Sequence, residues 1–185
     1  MKQQFWGVDA DPTAQGRIKG ARPVAVLDIG SNSVRLVVYE RHARALTPLY
    51  NEKAACALGR GVGQTGRLAE ANVAQALNAI KRFALVTRLM RAGKVYVLAT
   101  SAVRDAANRA EFVAAVEALI ETKVHVLSGQ EEARYAAMGA AAGALDVSGI
   151  VGDLGGGSLE LFRTINGSDT VGESYETGVI RLQDD

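Results

Sequence analysis

The chain has 185 residues, of which 48% are hydrophobic and 22% are charged, the composition of an ordinary soluble globular protein. Its 21 basic and 20 acidic residues leave a net charge of +1, which excludes the strongly basic surface of a dedicated nucleic-acid-binding protein. The single cysteine, Cys56, excludes an internal disulfide and a cysteine-rich metal site, and the reducing cytoplasm is the expected location.

No segment predicts a secretion signal or a membrane span. The N-terminus, MKQQFWGVDADPTAQ, lacks the apolar stretch of a signal peptide. The most apolar run, AAMGAAAGAL at 136–145, is too short to cross a bilayer. Residues 1–21 show little periodicity and predict a mobile, mildly basic tail.

The apolar periodicity after this tail predicts a mixed α/β fold in the order β-β-β-α-β-α-β-α, followed by three further strands. The segments with strand character lie at 24–29, 33–40, within 46–58, 94–101, 123–127, 149–154, 158–165 and 169–177. Apolar residues at spacings of three and four predict a helix over 69–92, a second after Asn108 and a third after Ser128. Asn108 with Glu111, and Ser128 with Glu131, resemble helix-capping pairs.

The glycine-rich stretch GRGVGQTGR at 59–67 does not complete either nucleotide-binding motif that it resembles. A dinucleotide-binding loop needs an acidic residue about 20 positions later, and here that position falls within a predicted helix. A P-loop needs Lys and Ser/Thr where Arg67 and Leu68 stand. We therefore predict a flexible loop that leads into the first helix.

One motif occurs twice, at the first hairpin of each strand group. VLDIGSNS at 26–33 and VGDLGGGS at 151–158 share the frame V-x-D-[IL]-G-x-x-S. Either copy alone is typical of a glycine-rich β-turn. Two facing copies predict a cleft, because tight turns direct backbone N–H groups at an anion and glycine lets a ligand approach closely. The aspartates of the frame, Asp28 and Asp153, could bind Mg²⁺ or orient water beside a bound phosphate.

Three further charged residues have both a functional and a structural interpretation. Glu160 could share a cation with Asp153 across the hairpin, or it could face solvent. Arg104 follows a strand at the edge where α/β sheets bind ligands, so it could contact a phosphate or form a surface salt bridge with Asp105 or Glu111. Glu132 lies beside the capping glutamate on the helix, about 100° around the axis, and is left free to face elsewhere.

Four segments together resemble one known family. VAVLDIGSNSVRLVVYE, ATSAVRDAANRAEF, VLSGQEEARYAAMGA and VGDLGGGSLELF resemble, in that order, the signature segments of the exopolyphosphatase/guanosine pentaphosphate phosphohydrolase (Ppx/GppA) family. The resemblance implies a ribonuclease-H-like mixed sheet with flanking helices, as in the actin-like ATPase superfamily. It divides the chain into a tail at 1–21, a first domain at 22–146 and the opening strands of a second domain at 147–185.

The resemblance also implies a reaction and a set of site residues. The reaction is Mg²⁺-dependent hydrolysis of a terminal phosphate from inorganic polyphosphate or guanosine pentaphosphate, with Glu132 as the general base and Arg104 against a phosphate. Asp153 and Glu160 would hold or position Mg²⁺, and Asp28 would line the metal site. The two phosphate loops would be formed by Gly30, Ser31, Asn32 and Ser33 and by Gly155, Gly156, Gly157 and Ser158.

Family members extend further and complete a second domain. We therefore expect that the final strands of this chain leave one face uncovered, so that either the chain forms a homodimer or these strands pack unusually. We also expect the chain to be weakly active or inactive unless it dimerises. Two alternatives remain open: a phosphate- or alarmone-binding sensor without turnover, and an ATP-dependent kinase of the same fold.

Overall fold

A computed structural model describes residues 20, 22–43, 46–143, 148–165, 168–180 and 182. The predicted tail at 1–21 lies almost wholly outside the described residues. Eight strands occur in the described part of the chain: β1 (Val24–Ile29), β2 (Ser33–Tyr39), β3 (Pro48–Ala55), β4 (Lys94–Ala99), β5 (Val124–Val126), β6 (Gly149–Leu154), β7 (Leu159–Ile165) and β8 (Ser168–Tyr175). The helices there are α1 (Val62–Thr65), α2 (Glu70–Leu89), α3 (Ser101–Asp105), α4 (Arg109–Ile120) and α5 (Gly129–Gly143).

The first five strands form one mixed sheet in the order β3-β2-β1-β4-β5. β1 pairs antiparallel with β2 and parallel with β4, so its carboxyl end lies beside that of β4. The chain leaves β1 at Gly30 and leaves β4 at Thr100. The turn after β1 and the loop after β4 are therefore neighbours at one edge of the sheet, the edge where ligands bind in open α/β sheets.

The core of this sheet lies between its buried face and two helices. Alternate residues of β1, including Leu27 and Ile29, are fully buried, as expected of a strand with one face in the core. On α2 the buried residues Ile80, Phe83 and Ala84 recur at spacings of three and four, which confirms the predicted amphipathic helix. α2 and α4 pack against one another.

A second sheet has the order β6-β7-β8, and α5 packs on one of its faces. Ala133 of α5 is fully buried, and a Cβ on Gly172 would lie 3.1 Å from the Ala133 Cβ. The other face is exposed, as predicted for an uncovered sheet, with Ile150 at 77% and Leu154 at 57% exposure. The second sheet is thus half covered, by a helix that follows the last strand of the first sheet.

Two local predictions were wrong. The stretch 59–67 was predicted as loop throughout, but Val62–Thr65 form a helical turn between Gly61 and Gly66, both at positive φ. Asn108 does not cap α4 with its side chain. It exchanges two hydrogen bonds with the backbone of Leu68 instead, accepting from Leu68 N at 2.9 Å and donating to Leu68 O at 3.1 Å.

In the part of the chain that the structure describes, none of the helices has the length and apolar character of a membrane span.

Candidate active site

The two copies of the repeated motif form the same turn. Gly30 N donates to Ser33 O at 3.0 Å, and Gly155 N donates to Ser158 O at 2.9 Å. Each turn joins the first two strands of its sheet, and each is preceded by an aspartate one residue before the last strand position. The sequence repeat therefore corresponds to a repeated backbone conformation.

The second turn packs directly on the first, and this contact explains its consecutive glycines. A Cβ on Gly156 would lie 3.2 Å from both Asn32 N and Ser31 Cβ. A Cβ on Gly157 would lie 2.6 Å from Ser31 Oγ and still closer to Ser101 Oγ. No side chain fits at Gly157, because the hydroxyls of the buried Ser31 and Ser101 already form a 2.9 Å hydrogen bond there.

A cavity of about 520 Å³ lies between the two turns. Most of the residues that the sequence predicted for the site line this cavity: Asp28, Gly30, Ser31, Asn32, Ser33, Glu132, Asp153, Gly155, Gly156 and Ser158. Gly157, Arg104 and Glu160 do not line it. Gly157 forms the contact between the turns, Arg104 is bonded to Glu132, and Glu160 is buried opposite Asp153 in the second sheet.

Glu132 lies in the first turn of α5, and the helix start fixes its position. The predicted capping box is present: Ser128 N donates to Glu131 Oε2 at 2.8 Å, and Glu131 N donates to Ser128 Oγ at 3.3 Å. With Glu131 engaged in the cap, Glu132 turns toward the cavity. There its carboxylate accepts hydrogen bonds from Arg104 Nη1 at 3.0 Å and from the side chain of Thr100.

Burial and the nearby Glu160 carboxylate raise the pKa of Glu132 to about 7, although the hydrogen bond and charge of Arg104 act to lower it. A carboxyl group with a pKa near the ambient pH is suited to act as a general base.

Arg104 does not reach the cavity wall because three acceptors hold it. Besides Glu132, its guanidinium donates to Asp105 Oδ1 at 3.2 Å and to the backbone oxygen of Leu127 at 3.2 Å. The salt bridge with Asp105 considered from the sequence is therefore present. In this arrangement Arg104 orients the Glu132 carboxylate.

Glu160 is 1% exposed, so the solvent-facing alternative was wrong. It pairs with Asp153 in the register of β6 and β7, and its Oε1 accepts a 2.9 Å hydrogen bond from Ser174 Oγ. The two carboxylates are thus neighbours across the hairpin, but only Asp153 opens onto the cavity.

The sequence profile of the Ppx/GppA phosphatase family matches residues 37–185. The chain belongs to this family. Exopolyphosphatase 2 of Mycobacterium tuberculosis is 35% identical over an alignment of 173 positions, which covers 86% of this chain and 53% of that protein. Exopolyphosphatase 1 of the same organism is 28% identical over an alignment of 166 positions, which covers 86% of this chain and 47% of that protein. The chain spans about half the length of these curated relatives.

Solved structures of Ppx/GppA proteins confirm the predicted fold class. An exopolyphosphatase from Cytophaga hutchinsonii superposes with a TM-score of 0.82 at 28% identity, covering 88% of this chain and 53% of that chain. The family member from Aquifex aeolicus gives a TM-score of 0.75 at 30% identity, covering 88% of this chain and 54% of that chain. The mixed sheet with flanking helices is thus the fold that this chain shares with solved Ppx/GppA proteins.

Two carboxylates of this Ppx/GppA chain provide a donor set that fits Mg²⁺. Asp28 and Asp153 both line the cavity. Desolvation by the surrounding protein raises the pKa of Asp28, and the negative charge of Asp153 raises it further. The positive charges of Arg35 and Lys53 act to lower it, but the net shift is upward. A pair of hard oxygen donors fits Mg²⁺, which commonly takes one or two carboxylates and completes its shell with water and phosphate oxygens. Among the described residues, no three side chains of His, Cys, Asp or Glu are grouped so that all three could hold one metal ion.

Sequence reasoning missed several residues of the cavity wall. Thr100, Lys53 and Arg60 line the cavity with the predicted residues. Gly178 packs on the second turn, where a Cβ would overlap the backbone of Gly156 and Gly157. The register of β3 and the path of the chain after it place the two cations, and neither feature is marked by a motif.

Proposed function

We propose that this chain hydrolyses the terminal phosphoanhydride bond of inorganic polyphosphate. The observation that carries the proposal is the position of Glu132, a carboxyl group with a pKa of about 7 that lines the same cavity as two turns suited to phosphate. Membership of the Ppx/GppA family and the exopolyphosphatase names of the relatives support the substrate. The chain spans about half the length of those relatives, so their activity does not transfer to it directly. The proposal is therefore tested on this chain itself.

The proposed reaction needs a base, donors for the phosphate oxygens and a fixed geometry. The Glu132 carboxylate takes a proton from a water molecule as the water oxygen attacks the terminal phosphorus. The anhydride P–O bond breaks on the opposite side, and the shortened chain leaves with the electron pair on its oxygen. The two glycine/serine turns hold the phosphate oxygens with backbone N–H groups and serine hydroxyls, and Arg104 keeps the base oriented.

In this proposal Asp28 and Asp153 hold Mg²⁺. When bound, the ion would offset the negative charge of the phosphate groups. Glu160 supports the site from behind, because its buried carboxylate contributes to the raised pKa of Glu132.

Phosphate release from polyphosphate, followed with and without Mg²⁺, tests the hydrolase. We expect Glu132→Gln to lower the rate at least a hundredfold, since general base catalysis typically contributes 10²–10⁴-fold. Glu131→Gln is the matched control: it removes a charge from the adjacent position, and glutamine still completes the capping box. Equal rates in both variants and in the unchanged chain would contradict the role of Glu132.

Guanosine pentaphosphate is the second proposed substrate, because it carries the same terminal phosphoanhydride bond. Parallel assays of both compounds rank them. Binding of either compound without phosphate release would favour the sensor, whereas phosphate transfer from ATP to an acceptor would favour the kinase.

We also propose that the chain forms a homodimer through the open face of the second sheet and acts in the cytoplasm. Ile150 and Leu161 are exposed there at 77% and 36%. Sedimentation equilibrium of the unchanged chain and of Ile150→Glu tests the dimer. A monomer at all concentrations would contradict it.

A further inference from the structure

The cavity has two cationic side chains on its wall, Lys53 and Arg60, which the mechanism above does not use. Three carboxylates line the same cavity, those of Asp28, Glu132 and Asp153. Arg104 cannot balance them from within the cavity, because it lies behind Glu132 in a network of acceptors. Among the described residues, Lys53 and Arg60 are therefore the basic side chains placed to meet a polyanion in this cavity.

Lys53 is placed by the strand register. It pairs with Arg35 on β2, which in turn pairs with Asp28 on β1, so all three residues lie on the same face of the sheet. Arg35 donates to Asn51 Oδ1 at 2.9 Å, whereas no ion pair of the described residues includes Lys53. The ammonium group of Lys53 is thus available to a ligand.

Arg60 is placed by the turn that follows β3. This turn is bonded to the first phosphate loop: Cys56 N and Ala57 N donate to Asn32 O at 3.0 and 2.9 Å, and Gly59 N donates to Ser31 O at 2.7 Å. A Cβ on Gly59 would lie 2.8 Å from Ser31 Cβ, so the turn sits tightly on the loop. The start of the glycine-rich stretch that fits no nucleotide motif therefore packs on the first loop, and Arg60, the next residue, lines the cavity.

Lys53 and the strand end that contacts the proposed base lie on opposite sides of β1 in the sheet order. Lys53 is on β3, one edge of the sheet, whereas Glu132 is bonded to Thr100 at the end of β4. β3 and β4 are three strand spacings apart, roughly 14 Å. A chain of condensed phosphates spans more of this separation than a single phosphate group held next to Glu132.

We propose that Lys53 and Arg60 form a second phosphate subsite, which binds the units of a condensed phosphate chain that lie beyond the terminal one. This inference rests on the proposed function for the location of the terminal phosphate. It makes the two cations determinants of substrate length. The two cations strengthen the binding of condensed phosphate chains and leave the binding of orthophosphate unchanged.

Binding is measured by calorimetry in Glu132→Gln chains, so that turnover does not intervene. The ligands are orthophosphate, tripolyphosphate and guanosine triphosphate, with Mg²⁺ and salt at about 0.1 M, where the Debye length is about 10 Å. Lys53→Gln and Arg60→Gln are compared with Lys81→Gln on the exposed face of α2 and with Arg67→Gln, which borders a separate groove between α2 and α4.

We expect Lys53→Gln and Arg60→Gln each to weaken tripolyphosphate about tenfold, the effect of one hydrogen bond to a charged group. Orthophosphate affinity stays unchanged, and both control variants bind all ligands as the parent does. A loss for tripolyphosphate alone identifies a linear chain as the ligand, and an equal loss for guanosine triphosphate identifies any condensed phosphate.

The subsite is overturned if tripolyphosphate affinity is unchanged in both variants, or if orthophosphate binding is weakened as much as tripolyphosphate binding. Absence of tripolyphosphate binding in the parent overturns it too. Phosphate release by the chain with native Glu132 is assayed separately. The selective loss without phosphate release would uphold the subsite and refute the hydrolase, and phosphate release with unchanged affinities would do the reverse.

Discussion

The raised pKa of Glu132 predicts a specific dependence of protein stability on pH. In the folded chain the carboxyl group keeps its proton up to about pH 7, whereas its ordinary pKa is 4.5. Between these values the folded state binds more protons than the unfolded state, so the free energy of unfolding falls as the pH rises. Each pKa unit corresponds to about 1.4 kcal/mol, so ionisation of Glu132 costs the folded chain about 3 kcal/mol over this range.

Glu132→Gln removes this cost, because glutamine does not ionise. We expect the free energy of unfolding of the variant, relative to that of the unchanged chain, to rise by about 3 kcal/mol between pH 4.5 and pH 7.5 and to stay constant above it. Urea unfolding followed by circular dichroism, repeated at half-unit steps of pH, measures the difference. Any constant effect of the substitution on Arg104 cancels in the pH dependence.

Glu131→Gln provides a control with the opposite expectation. Hydrogen bonds from Ser128 lower the pKa of Glu131, so its contribution to stability is present above the ordinary value of 4.5 and is lost as the pH falls below it. Between pH 4.5 and pH 7.5 its variant should therefore run parallel to the unchanged chain. If the difference in the free energy of unfolding between Glu132→Gln and the unchanged chain is equally independent of pH, the raised pKa is refuted. The raised pKa also predicts that kcat/KM for phosphate release rises with pH through an apparent pKa near 7, and this expectation would be refuted with it.

Three further substitutions test the rest of the site. Arg104→Gln removes the cation that lowers the pKa of Glu132, so the rise of kcat/KM with pH should move to higher pH, as a pH–rate profile shows. Asp153→Asn should raise the Mg²⁺ concentration for half-maximal phosphate release at least tenfold, because metal affinity depends on the number of carboxylate ligands. If that Mg²⁺ concentration is unchanged, Asp153 is not a ligand of the proposed metal site. Gly157→Ala should destabilise the fold by about 1–3 kcal/mol in urea, since its Cβ overlaps two buried serines, whereas Gly139→Ala on α5, with open space around it, should be neutral or stabilising.

The repeated motif explains why much of the cavity could be predicted from the sequence. The frame shared by 26–33 and 151–158 fixes an aspartate, a turn and a serine at the same spacing, and such local features survive folding unchanged. The capping box of Ser128 and Glu131 is equally local, and it left Glu132 as the residue free to face the cavity. Short-range patterns of this kind need no knowledge of tertiary structure.

The features that were missed depend on contacts between residues distant in sequence. Asn108 is a residue type that commonly caps helices, but its side chain forms hydrogen bonds with the backbone of Leu68, 40 residues earlier. Lys53 reaches the cavity because of the β3 register, and Glu160 is buried because α5 covers its side of the second sheet. No spacing rule contains this information.

The position of α5 makes Glu132 part of both halves of the structure. Before the helix, Leu127 N donates to Ala99 O at 2.8 Å and so ties the chain to the first sheet. Within the helix, a Cβ on Gly129 would lie 2.6 Å from Ser174 Cβ of the second sheet, and Ala133 packs at Gly172. Glu132 is therefore held between the sheet that carries the first glycine/serine turn and the sheet that carries the second. Each sheet also supplies one aspartate to the cavity. A shift of either sheet would therefore change the distance from Glu132 to one turn and to one aspartate at the same time. The packing of α5 against both sheets thus determines the geometry of the whole site.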